Sequence, residues 1–225
     1  MVKAFVLLAA SVSVIALHAT EYTSLEEALK NPIAVKSLNL SNKGLTYLTE
    51  NIGKLTNLER LNLSGNKLTA LPKALFTLKK INYLNLISNQ LTSLAGIGSL
   101  TNLQTLEAGF NRFTVVPKEI GNLTKLKKLQ LNKNGLAVLP IEFSKLTALE
   151  IVDFSYNKFS TLPEPLLGAK NLKTADFSYN KTLAAFSKNI KQLQSLRLLN
   201  LKATKINSAQ IEELTWLIPD CQILL

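Results

Sequence analysis

The chain has 225 residues, 47% of them apolar and 18% charged, with a formal charge of +11. That length supports one substantial core or two small domains. A mean hydropathy of +0.16 excludes a disordered tail and a polytopic membrane protein alike. The chain has one cysteine, Cys221, and one histidine, His18. They exclude an internal disulfide, a cysteine-cluster zinc site and, in residues 20–225, any triad or metal site built on imidazole.

The basic residues are nearly all lysine, with Arg60, Arg112 and Arg197 the only arginines. Nucleic-acid readers use the bidentate guanidinium fork, whereas lysine is a strongly hydrated point charge. The lysines are scattered, with Lys79-Lys80 and Lys127-Lys128 the densest pairs. The charge therefore reads as solubilising surface with weak attraction to acidic partners or membranes, and no specific nucleic-acid partner is expected.

Met1 to Ala19 reads as a secretory signal peptide. Lys3 gives a positive start, Ala4 to Leu17 is apolar or small, and His18-Ala19 precedes a cut. The run is shorter than the ~20 apolar residues of a spanning helix, so the mature chain is expected to carry no membrane span. This places the protein outside the cytoplasm: secreted, on the cell surface or in the periplasm. Residues 20–34 form an N-terminal cap, because Ser24-Leu25-Glu26-Glu27 is a capping box that opens a short helix stopped at Asn31-Pro32.

From Val35 the chain repeats. LERLNLSGNKLTALP from Leu58 and LKKLQLNKNGLAVLP from Leu126 share the pattern LxxLxLxxNxLxxLP. The same frame starts at Val35, Leu58, Ile81, Leu103, Leu126, Leu149, Leu172 and Leu196, at spacings of 22 to 24 residues. Asparagine fills the ninth position as Asn66, Asn89, Asn111, Asn134, Asn157 and Asn180. Alternating leucines such as Leu61 and Leu63 point to one side of a short strand. One strand cannot bury them alone, so successive repeats stack into a parallel sheet over a continuous core. The ninth-position amide leaves the strand to bond backbone of its turn and of the next repeat. Leu71-Pro72, Val116-Pro117, Leu139-Pro140 and Leu162-Pro163 open the convex side. Ile120 with Leu123, and Phe143 with Leu146, bring it back to the core. Ala108 and Ala175 replace core leucines, with Phe110 and Phe177 placed to compensate.

These repeats resemble the leucine-rich repeat family in its ~23-residue form with a Leu-Pro convex turn, from Val35 to about Leu217. The resemblance implies an α/β fold: a right-handed solenoid, or horseshoe, with a parallel concave sheet, short convex helical or 3-10 turns and capped ends. Residues 35–195 hold repeats one to seven, and 196–225 hold repeat eight with a C-terminal cap. That cap is a helix over Ser208 to Leu217, ended by Pro219-Asp220 and followed by a strand over Cys221 to Leu225. Cys221 reads as a structural thiol.

Strand residues that point away from the core line the concave face. The third position reads Ser37, Arg60, Tyr83, Thr105, Lys128, Ile151, Thr174, Leu198, and the fifth Asn39, Asn62, Asn85, Glu107, Gln130, Asp153, Asp176, Asn200. The seventh and eighth add Ile87, Phe110, Tyr156 and Tyr179. Eight strands ~4.8 Å apart make a face roughly 34 Å wide, enough for a globular partner. Tyr83, Ile87, Phe110, Ile151, Tyr156 and Tyr179 put aromatic or apolar groups where solubility favours polar ones. Glu107, Asp153 and Asp176 form an acidic strip, with Lys128 beside it. The competing reading of Tyr156 and Tyr179 is framework, since both sit in an FSYNK string. Asp153 and Asp176 on neighbouring strands invite a carboxylate-dyad reading, but an open sheet has no pocket to exclude water. Two carboxylates also fall short of a calcium ligand set.

The resemblance is closest to small exported bacterial leucine-rich repeat proteins made only of repeats and caps. It implies a monomeric, non-enzymatic binder of another protein, without cofactor or metal, acting in host or cell-surface interaction. The alternative is an intracellular scaffold resembling small-GTPase-linked repeat proteins, with the N-terminal run read differently.

Overall fold

The computed structural model describes residues 21–225; the signal-peptide reading of 1–19 lies outside the described residues. Ten parallel strands form one sheet in strict chain order. They are β1 Glu21–Tyr22, β2 Ser37–Asn39, β3 Arg60–Asn62, β4 Tyr83–Asn85, β5 Thr105–Glu107, β6 Lys128–Gln130, β7 Ile151–Asp153, β8 Thr174–Asp176, β9 Leu198–Asn200 and β10 Gln222–Leu224. The sheet is open, and β1, which the repeat pattern does not announce, pairs through Glu21 with Ser37. Each strand is only two or three residues long because the frame supplies one inward leucine flanked by two outward residues. The centre of β3, Leu61, is fully buried and stands in register with Leu38 and Leu84.

The convex side consists of 3-10 turns, among them Glu50–Lys54, Lys73–Thr77, Lys118–Asn122 and Ile141–Lys145. Pro72, Pro117 and Pro140 precede three of them in extended backbone with φ near −68°, the value the pyrrolidine ring imposes. The repeat that starts at Ile81 has no proline; Gly96 precedes its turn at φ +91°, and that turn shrinks to Ile97–Ser99. Ile120, Leu123, Phe143 and Leu146 all reach the core and are fully buried.

The asparagine ladder differs in direction from the sequence expectation. Asn157 donates to the carbonyls of Phe154 in its own turn (3.0 Å) and Leu131 in the preceding repeat (2.9 Å), and accepts from the Leu136 amide (3.0 Å). The other ladder asparagines likewise reach backward, as Asn66 does to Leu40 and Asn180 to Phe154. Each ties a finished repeat to the next one, and where Thr204 replaces asparagine its hydroxyl keeps only the local bond, to the Leu201 carbonyl (2.7 Å).

Phe110 does not fill the space beside Ala108: it is 44% exposed, and the fully buried ring in that repeat is Phe113. Phe177 beside Ala175 is fully buried. Two helices flank the repeats. In α1, Leu25–Ala28, Ser24 accepts from the Glu27 amide, which makes one arm of the expected capping box. In α2, Ser208–Leu217, the complete box is formed by Asn207 and Gln210. Among the described residues no helix is long and apolar enough to cross a membrane. Burial pushes the Cys221 thiol up to about 11, which keeps it protonated and unreactive.

Candidate interaction surface

The strand register aligns the outward residues in two rows. Arg60 stands beside Tyr83, Tyr83 beside Thr105, Lys128 beside Ile151, and Asp153 beside Asp176. The chemistry of the face divides between its halves.

In the N-terminal half the side chains satisfy one another. The Arg60 guanidinium lies 4.1 Å from the centre of the Tyr83 ring, a cation–π contact. The Tyr83 hydroxyl donates to Glu107 Oε2 at 2.8 Å, and Lys128 Nζ donates to Glu107 Oε1 at 2.7 Å. Partial burial and then the bond to Glu107 raise the Tyr83 pKa, so the phenol stays a donor. Of the predicted site residues, Tyr83, Glu107 and Lys128 therefore belong to one network, which also includes Arg60 and Asn85. Ile87 sits half-buried above it, its amide held by Asn85 Oδ1.

In the C-terminal half Ile151 is 39% exposed on its strand. Asp153 Oδ1 accepts from the Ser155 amide (3.0 Å) and hydroxyl (2.7 Å), and Asp176 Oδ1 accepts from the Ser178 amide (2.8 Å). The second Asp176 oxygen accepts from Asn200 Nδ2 (2.9 Å). Each aspartate thus closes the turn after its strand, as side-chain oxygens of Asn and Asp do two residues on. Burial, with a smaller contribution from the neighbouring Asp176 charge, raises the Asp153 pKa against the opposing Ser155 bonds. Among the described residues no three His, Cys, Asp or Glu side chains gather to hold a metal ion.

The rim is built at the eighth repeat position, and here the backbone explains what the sequence hid. Asn42, Gly65, Ser88, Phe110, Lys133, Tyr156, Tyr179 and Ala203 all have φ between 50° and 68°. Left-handed backbone costs a non-glycine residue about 1–2 kcal/mol, and in six of the eight repeats the ladder asparagine that follows the turn holds it there, Lys43 and Thr204 standing at that place in the first and last. Every repeat consequently throws its eighth side chain to the same rim. Tyr156 and Tyr179 stack with ring centres 4.1 Å apart and planes 7° from parallel. Lys133 Nζ lies 4.5 Å from the Phe110 ring and 5.0 Å from Tyr156. Phe110, Tyr156 and Tyr179 therefore form one ladder completed by Lys133. Lysine at the eighth position gave no signal in the sequence, because a framework lysine and a solvated one look alike.

The comparisons agree with this architecture. Residues 12–131 match the model of a leucine-rich repeat region, and no curated protein matches the chain. Among solved structures, an internalin of Listeria monocytogenes is similar with a TM-score of 0.76 at 21% identity, over 90% of this chain and 57% of that one. Internalin C2 of the same bacterium is similar with a TM-score of 0.71 at 25% identity, over 86% of this chain and 80% of that one. A plant peptide hormone receptor, RGFR1 in complex with RGF2, is similar with a TM-score of 0.66 at 23% identity, over 84% and 30%. The chain thus spans little more than half the length of the first of these neighbours. Eight framed repeats, a strand-by-strand parallel sheet, 3-10 convex turns, a buried asparagine ladder and a family model matching over half the sequence lead to one conclusion: this chain belongs to the leucine-rich repeat family.

Proposed function

We propose that this protein is a non-enzymatic binding scaffold that holds another protein on its concave face. Leucine-rich repeat proteins in general mediate protein–protein interaction, and the fold by itself names no ligand. The observation that carries the concave-face reading is exposed Ile151 on the sheet, with exposed Phe110 and Tyr156 on the rim beside it. Rigid aromatic groups of this kind anchor protein interfaces. The N-terminal run Ala4–Leu17 supports export from a bacterial cell and action at a host or cell surface, and the internalin neighbours are bacterial. The binding reading does not depend on export.

The test is capture of partners from cell-surface or envelope extracts by residues 20–225. The concave variant is Tyr83→Ala with Ile151→Glu. The control is Ile141→Glu, an equally charged change at an exposed residue of the convex side. A partner lost with the concave variant and kept by the control is the expected result. Identical captured sets would overturn the concave-face reading.

A further inference from the structure

Positive charge on this protein is not spread evenly with respect to negative charge. The ion pairs among the described residues are Lys30–Glu27, Lys36–Glu59, Lys128–Glu107, Lys173–Glu150 and Lys188–Glu213. None involves the rim that carries the eighth and tenth repeat positions. In the C-terminal repeats that rim presents Arg112, Lys133, Lys158, Lys181 and Lys205, with Lys202 of the seventh position next to it, all exposed. The segments that bear them, 108–112, 131–135, 154–158, 177–181 and 201–205, contain no Asp or Glu. Like charges left unpaired along one edge repel one another and are relieved by an anionic partner.

The same edge is shaped. A shallow hollow of about 410 Å³ is lined by Tyr156, Lys158, Tyr179, Lys181 and Thr182, over the ladder residues Asn134 and Asn157. Two ammonium groups, two phenols and a hydroxyl line it with no carboxylate among them, the Asp176 charge reaching only its Tyr156 side. Lys133 and Tyr179 take both faces of the central ring, Tyr156, and one face each of Phe110 and Tyr179 is likewise engaged. A nucleobase or a sugar ring binds such surfaces by sandwiching between bare aromatic faces, and the packed ladder leaves no gap between its rings for one. A chain of carboxylates needs only the donors.

We propose that this rim binds an acidic segment of a protein, its carboxylates seated on Lys158 and Lys181 in the hollow beside the Tyr156–Tyr179 stack. The inference rests on the concave-face reading in one respect: Tyr156 follows Asp153 and Ser155 directly, so a protein on the concave sheet reaches the rim without a gap. It names the chemistry of that partner.

The test uses a fluorescein-labelled oligoglutamate peptide and anisotropy with residues 20–225. The peptide is expected to bind at low salt, more weakly as salt rises, and about tenfold more weakly to Lys158→Glu with Lys181→Glu. The charge-matched variant Lys125→Glu with Lys127→Glu, on the opposite flank, is expected to bind as the wild type does. Circular dichroism confirms that both variants are folded. Absence of peptide binding overturns the proposal, as does equal loss in the two variants, which would mean diffuse attraction. Tighter binding of oligothymidylate or of a sulfated polysaccharide overturns it in favour of that polymer. A rim that binds the peptide specifically, beside a concave variant that captures the same partners as the wild type, would defeat only the concave-face reading.

Discussion

Asn62 and Asp153 occupy the same repeat position and make the same two bonds. Asn62 Oδ1 accepts from the Ser64 amide at 3.0 Å and its hydroxyl at 2.8 Å; Asp153 Oδ1 accepts from Ser155 at 3.0 and 2.7 Å. One residue does this neutral and the other charged, and the two halves of the molecule differ in the same way throughout. The N-terminal half spends its outward charges internally, through Arg60, Tyr83, Glu107 and Lys128. The C-terminal half leaves a raised-pKa aspartate, an aromatic ladder and an unpaired basic rim. Inside, the contrast continues: Leu63, Leu68 and Leu75 are replaced at equivalent positions by Phe154, Phe159 and Phe143. A repeat frame thus dictates the backbone while each half settles its own surface and core, so binding specificity can vary without changing the fold.

The largest effect expected from breaking this contrast is in the core. Phe154 meets Phe143, Phe159 and Phe177 at ring-centre distances of 6.0, 5.5 and 5.5 Å. Phe154→Ala removes the ring common to all three contacts and is expected to cost about 3–5 kcal/mol in urea denaturation. A cost below about 1 kcal/mol would show that the aromatic half repacks freely, and that its rings are interchangeable with the leucines of the other half.

A smaller effect is expected at the rim, where Tyr156 holds φ 54° and its N-terminal counterpart is Gly65 at φ 68°. A Cβ on Gly65 would run into the Asn42 side chain, so glycine is required there twice over. Tyr156→Ala and Tyr156→Gly both lose the stack on Tyr179, but only glycine relieves the left-handed backbone. The glycine variant is therefore expected to be the more stable of the two by roughly 0.5–1 kcal/mol in thermal unfolding, after its greater unfolded-chain entropy is counted. If alanine proves the more stable, the asparagine ladder does not impose the turn.

The fold was legible because the frame repeats eight times: the leucine spacing located β2 to β9, and the four Leu-Pro or Val-Pro pairs located four of the convex turns. β1 was not legible, since two residues before the first repeat carry no periodicity of their own. The two outward rows were legible for the same reason as the strands. Their bonds were not, because Arg60 and Tyr83 lie a repeat apart and nothing in either segment names the other. The left-handed turn showed only at Gly65 and Asn42, the two residues that tolerate it; Phe110, Tyr156 and Tyr179 disguised it as a choice of side chain. Phe110 was misread as core filler because a phenylalanine two residues after a core alanine looks like compensation until the turn direction is known. The basic rim escaped notice because its lysines are scattered along the chain and gather only when repeats stack.

The smallest effect concerns Asp153 and carries a sign. Its folded pKa lies above the ordinary aspartate value of 3.8, so the folded chain binds that proton more tightly than the unfolded one. The stability contributed by protonation is fully present below 3.8 and is lost as pH rises through the raised folded value. At pH 7 the ionised carboxylate is therefore a net burden on the fold. Asp153→Asn keeps the acceptor oxygen for Ser155, as Asn62 shows for Ser64, and discards the charge that burial and Asp176 oppose. The variant is expected to match or exceed the wild type at pH 7, by less than about 1 kcal/mol because the site is partly open to water. That is a Tm rise of no more than about 4 °C. Thermal melts in the acid range should show the gain disappear. A variant that melts lower at pH 7 would mean that a cation steadies Asp153 in the folded chain. Lys128, already 2.7 Å from Glu107, is the nearest candidate, and sharing it would join the two halves of the face into one network.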